Sequence, residues 1–181
     1  GFTAAAFGGI TTIFDMPNTT PPATTPLLLQ EKQRTANTRS LVDFGQYAGV
    51  TKDNLRHIPA LAPVCAGFKI FLGSSTNTGS LPTSLLKQAL EAIRPTKMRT
   101  LIHAEDERCL SHYAGPEETL LDHNRRRPAR CEETAINSVL STDVETPVHI
   151  CHVSSQDGLA ALNQHPSSIT VGVTPHHLLL D

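Results

Sequence analysis

None of the four cysteines of this 181-residue chain, Cys65, Cys109, Cys131 and Cys151, lies in a C-x-x-C pair, and they are spread widely. That spacing speaks against a zinc finger and against a small secreted scaffold stapled by disulfides. A reducing, cytoplasmic setting is the expectation. No apolar run is long enough to cross a bilayer, so no membrane partner is expected. A concentrated basic face is missing too. The formal net charge is -2, and the densest basic run is Arg125, Arg126 and Arg127. That is too little positive charge to neutralise a phosphate backbone, which excludes a nucleic-acid partner. The arginine run itself reads as a solvated loop. There is no internal repeat and no low-complexity segment.

What is present is a balance of 39% hydrophobic and 18% charged residues, which suits a folded globular domain rather than a disordered chain. Residues 1–181 are long enough for a single domain with a real core. Six short apolar segments rich in β-branched residues read as strands: 10–16 (ITTIFDM), 42–49 (VDFGQYAG), 67–72 (GFKIFL), 100–103 (TLIH), 148–153 (VHICHV) and 168–173 (SITVGV). Helical periodicity fills stretches between them, at 27–36, 84–93, 132–140 and 156–164, with weaker signals at 53–57 and 106–112. Pro82 and Pro95 bracket the 84–93 helix. Strands alternating with helices are the mark of parallel βα units. Two architectures remain open on this pattern, a doubly wound sheet and most of an eight-stranded barrel. Residues 113–128 read as a long charged loop, either an active-site flap or an exposed insertion. The chain opens on Gly1-Phe2-Thr3-Ala4-Ala5-Ala6, which reads as the middle of a helix, so a longer parent polypeptide is expected.

Polar residues gather at the strand ends. Asn18 follows the first strand, Lys69 lies in the third, His103 ends the fourth, His152 ends the fifth, and His176 and His177 follow the sixth. In parallel α/β folds ligands bind at the carboxyl ends of strands. Taken singly, each has a plain alternative. His103 and His152 can be hydrogen-bonded structural histidines, and Asn18 after Pro17 can be a turn former. A lysine amid apolar strand residues must reach solvent, find a partner or be chemically modified. Taken together, a lysine and two histidines on three successive strand ends point to a metal site, since imidazole and oxygen ligands suit zinc and similar divalent ions. An ammonium has no lone pair to offer a cation. A lysine carbamylated by carbon dioxide is an anion with two oxygens, able to bridge two metals.

Three stretches, 8–19 (GGITTIFDMPNT), 67–75 (GFKIFLGSS) and the pair LIHAEDE (101–107) with HICHVSS (149–155), resemble the cyclic amidohydrolase family of dihydroorotases, allantoinases and hydantoinases. Their order and spacing fit across nearly the whole chain. The resemblance implies a TIM-like (β/α)8 metal-dependent hydrolase barrel, of which this chain supplies about strands 2–7. It implies Lys69 as the carbamylated ligand bridging two divalent metal ions, zinc first among them, and as a catalytic group. It implies His103 and His152 as metal ligands. The form Met16-Pro17-Asn18-Thr19 is most similar to that of the dihydroorotases, in which the asparagine binds the substrate carboxylate. The implied reaction is the reversible cyclisation of N-carbamoyl-L-aspartate to L-dihydroorotate, with a small-molecule substrate and a homo-oligomeric enzyme. Allantoinase or hydantoinase activity is the nearest alternative, and a non-catalytic scaffold protein the next. His176 and His177 are not read as ligands.

The chain departs from the family pattern at two places. No H-x-H metal motif precedes Ile10, and Asp181 follows the sixth strand too closely to be the family's catalytic aspartate. Residues 1–181 alone are therefore expected to be inactive and to hold metal poorly, with two open sheet edges that favour association.

Overall fold

Each of the six expected strands forms, and each pairs in parallel with the next in sequence. The computed structural model describes residues 1–74, 79–164 and 168–179; Ser75, the last residue of the 67–75 stretch, and Asp181 lie outside the described residues. The elements run α1 (Phe2–Phe7), β1 (Thr12–Asp15), α2 (Pro26–Arg39), β2 (Asp43–Gly49), α3 (Ile58–Leu61), β3 (Gly67–Phe71), α4 (Leu86–Ile93), β4 (Thr100–His103), α5 (Glu107–His112), α6 (Leu120–Arg126), α7 (Ala129–Leu140), β5 (Val148–Ile150), α8 (Gln156–Ala161), β6 (Ile169–Val171) and α9 (Pro175–Leu179). A doubly wound sheet reverses its strand order at a switch point. This sheet keeps the order β1 to β6 without reversal and curls as an arc of a barrel.

Register explains how the two faces differ. Phe68, Thr100, Val148 and Ile169 lie level across four strands, and so do Ile70, Ile102 and Ile150. These residues are buried, and the aliphatic ones among them pack with helix residues such as Leu90, Ile93, Ile136 and Val139 in one core. The intervening row is Lys69, Leu101, His149 and Thr170, on the opposite, concave face. Helix α4 buries Leu86, Ala89, Leu90 and Ile93, the i, i+3, i+4, i+7 stripe of an amphipathic helix. Thr25 caps α2 by accepting from the Leu28 N–H at 3.4 Å, with Pro26 in its first turn.

Four expectations change. Residues 113–128 are not all loop, because Thr119 and Asp122 form a capping box that starts α6. The arginine run is not simply solvated: Arg126 pairs with Glu117 and Arg127 with Glu105. Cys109 and Cys131 are joined in a disulfide between α5 and α7, a pairing their 22-residue separation does not announce. The fifth strand is also shorter than its apolar segment. It stops at Ile150, and His152 takes a positive φ of 39° as the chain turns away. Among the described residues no helix is long and apolar enough to cross a membrane.

Asn54 ties the carboxyl end of β2 to the chain before α2. Its amide donates to Thr24 O at 3.0 Å and Gly49 O at 2.8 Å, and its carbonyl accepts from the Thr51 N–H at 2.9 Å. Asn54→Ala leaves three backbone groups without these partners. It should lower the unfolding free energy of the whole protein by about 1–3 kcal/mol, read as a lower denaturant midpoint at unchanged slope.

Candidate active site

Strand β3 is buried along its full length, so the side chain of Lys69 has no route to water; the residue is 2% exposed. Its Nζ lies 3.4 Å from Ile70 O, 3.8 Å from Cys151 Sγ and 4.3 Å from the centre of the Phe71 ring. Among the described residues no carboxylate forms a salt bridge with it. Burial pulls the Lys69 pKa down to about 8, against the opposing influence of Cys151. At neutral pH a minor fraction of this amine, about a tenth, is therefore uncharged and carries a free lone pair. Burial also pushes the Cys151 thiol up, with Lys69 working the other way.

His103 ends β4 level with Phe71, its ring 5.9 Å from that ring. Lys69 and His103 thus flank one aromatic side chain. His103 Nδ1 stands 3.1 Å from His152 Nε2, with ring centres 4.9 Å apart. The other His103 nitrogen, Nε2, is 2.9 Å from Glu105 Oε2. An ionised carboxylate only accepts, so Nε2 carries a proton and donates to Glu105. In the tautomer with its proton on Nε2, the Nδ1 lone pair of His103 faces His152. Arg127 donates to the same Glu105 oxygen and, at 3.4 Å, to Ser74 O. Burial acts to raise the Glu105 carboxyl, but the His103 hydrogen bond and the Arg127 charge outweigh it and hold it below the ordinary range. Burial, seconded by His103, lowers the His152 pKa and favours a neutral ring.

The structure therefore brings Lys69, His103 and His152 into one neighbourhood. Asn18 is half-buried in the loop leaving β1, two strands from Lys69 at the same end of the sheet. His176 and His177 meet edge to face at the surface, with ring centres 4.4 Å apart. Sequence reasoning missed Glu105, Arg127 and Cys151. Glu105 stood in the motif beside His103, whereas Arg127 reaches it from 22 residues away and leaves no local signal.

These side chains meet part of what a metal centre requires. A histidine whose far nitrogen is held by a carboxylate is the usual form of a metal-binding imidazole, and His103 has that arrangement. Two imidazoles do not complete a centre, and among the described residues no group of three or more His, Cys, Asp or Glu side chains is arranged to hold an ion. Lys69 is the remaining group at hand, and only as an anion.

No family model matches the chain. Curated relatives include the dihydroorotase of Methanosarcina acetivorans, 33% identical over 197 residues, covering 99% of this chain and 42% of that protein. The dihydroorotase of Methanothermobacter thermautotrophicus is 35% identical over 199 residues, covering 100% and 42%. Among solved structures, the L-hydantoinase of Arthrobacter aurescens superposes with a TM-score of 0.89 at 27% identity, over 96% of this chain and 42% of that one. The dihydroorotase of Saccharomyces cerevisiae, solved with 5-fluoroorotic acid, gives 0.74 at 20% identity, over 96% and 50%, a likeness of fold. The chain spans about 42% of the length of the curated relatives named above. Along its whole length the chain is similar in sequence to curated dihydroorotases, and by fold it matches an arc of the barrel seen in the L-hydantoinase.

Proposed function

We propose that this chain forms part of the active site of a dihydroorotase, which interconverts N-carbamoyl-L-aspartate and L-dihydroorotate. The observation that carries the reading is the buried Lys69 amine, with no carboxylate partner among the described residues, in the same neighbourhood as the paired imidazoles of His103 and His152. The dihydroorotase form is favoured over its relatives by the similarity in sequence to proteins of that name.

In this reading the neutral Lys69 amine attacks carbon dioxide through its lone pair and gives up one proton to solvent, leaving a carbamate whose single negative charge is shared by two oxygens. That carbamate, with His103 and His152, would hold part of a pair of divalent ions, zinc by the chemistry of the donors. Such a pair polarises a ring carbonyl and lowers the pKa of water. The chain's own residues do the rest of what is proposed here. Glu105 fixes the tautomer of His103, so that the lone pair sits on Nδ1. Arg127 holds Glu105 ionised. Phe71 and the apolar third strand keep water from the Lys69 nitrogen. Asn18 donates its amide N–H to the substrate carboxylate.

A hydantoinase is the second reading, favoured by the closer superposition on the L-hydantoinase, 0.89 against 0.74 for the dihydroorotase structure. The two differ in the substrate carboxylate, which dihydroorotate carries and simple hydantoins lack.

Two outcomes test the proposal in the whole protein. Lys69→Ala should lower kcat/KM for dihydroorotate by about 100-fold or more and strip bound metal, with partial rescue by short carboxylic acids that fill the vacated space. Near-normal turnover and metal content in that variant would rule out the carbamate. Asn18→Ala should weaken handling of the carboxylated substrate by about 10- to 150-fold, the worth of one hydrogen bond to a charged group, and affect a carboxylate-free hydantoin much less. Equal losses on both substrates would reduce Asn18 to a turn former, and efficient hydantoin hydrolysis by the unaltered protein would favour the second reading.

A further inference from the structure

The loops that carry His103 and His152 leave different strands, yet both are fastened to the first turn of α7. The loop after β4 is tied by its backbone: the Asp106 N–H donates to Cys131 O at 3.0 Å. The loop after β5 is tied by the next residue, Glu132. This carboxylate is 8% exposed, and four donors converge on it. Ser154 supplies its N–H and hydroxyl to Oε1 at 2.9 and 3.1 Å, and Ser155 supplies its N–H and hydroxyl to Oε2 at 2.8 and 2.5 Å. The Ser155 hydroxyl in turn accepts from the Gly158 N–H at 3.0 Å, capping α8. Two residues before Ser154, His152 sits at its positive φ of 39°, a conformation that a side chain adopts only where its surroundings hold it. Flanking peptide groups pin the turn from the sheet side, Cys151 N to Ile102 O and Val153 N to Gly172 O, each at 2.9 Å. On the helix side the restraint is Glu132. Space has been left for it: a Cβ on Gly158 would lie 2.5 Å from Glu132 Oε2.

We propose that Glu132 is a positioning residue that sets the His103–His152 spacing by clamping the loop in which His152 is turned inward. This rests on the reading of the two histidines as site residues. Cys131 and Glu132 are successive residues of one helical turn, so the distance between the two loops is fixed by α7 rather than by the sheet alone.

The test uses three variants of the whole protein. Glu132→Gln keeps the shape but leaves one acceptor oxygen for donors that now fill two. Gly158→Ala keeps the carboxylate and pushes it off its donors. Glu145→Gln removes an exposed charge elsewhere and serves as control. Zinc affinity is measured by competition with a chromophoric chelator, exchange of the Ser154 and Ser155 amides by hydrogen–deuterium mass spectrometry, and the His152 ring resonances by NMR on isotope-labelled histidine. Glu132→Gln and Gly158→Ala should each weaken zinc binding by about 10- to 100-fold, speed exchange at Ser154 and Ser155 and shift the His152 resonances, while the control changes none of these. A lower melting temperature with unchanged zinc affinity and ring resonances would show that Glu132 only stabilises the fold, and would overturn the proposal. If Glu132→Gln does not fold, Gly158→Ala decides. If the unaltered protein holds zinc but does not act on dihydroorotate, the functional reading fails while the zinc affinities still decide this one. If it holds no zinc, the ring resonances decide.

Discussion

Burying the Lys69 amine makes a demand on every neighbour of the third strand. Taking an ammonium out of water forfeits solvation that only a well-placed anion restores. Here the contacts are a carbonyl oxygen, a thiol and an aromatic face. None of them is a full negative charge, so the group yields its proton more readily instead. The surrounding architecture preserves that condition. Aliphatic side chains on one face of β3 lock into the helices, Phe71 covers the amine on the other, and Cys151 arrives from β5. A polar or smaller residue at any of these points would readmit water and return Lys69 to an ordinary lysine.

The two faces of the sheet divide the work. Convex positions are occupied by Phe68, Ile70, Ile102, Val148 and Ile150, which carry the packing. Concave positions carry Tyr47, Lys69, His103, His149 and Thr170, a set rich in donors and titratable groups. Because parallel strands alternate faces at every residue, one-residue slippage in β3 would send Lys69 into the helix layer and Phe68 or Ile70 into the site. Register is therefore a condition for chemistry as well as for stability.

Much of this was legible in the sequence. Runs of β-branched residues located the six strands, and residues at their carboxyl ends proved to gather at one end of the sheet. The choice between barrel and open sheet was not legible from periodicity, because both need the same local pattern; it came from family resemblance and is visible structurally in the unreversed strand order. The partners of the site were harder to read. Glu105 with Arg127, Glu132 with Ser154 and Ser155, and Cys109 with Cys131 are each separated by 22 residues or so, and such pairs exist only once helices have folded back on the sheet. Helix α6 was obscured for another reason. Its charged, weakly apolar stretch buries no residue, so the signal lies in the Thr119–Asp122 cap rather than in a stripe.

The disulfide between Cys109 and Cys131 encloses the whole of residues 113–128 in a covalent ring. Exposed leucines at 120 and 121 lie within it, in a segment of which no residue is buried and where a protease has access to the surface. A cut there would open the ring without parting the chain. The two halves would travel together on a denaturing gel and separate only when the sulfur bridge is reduced, so an apparently intact band would conceal a nicked polypeptide.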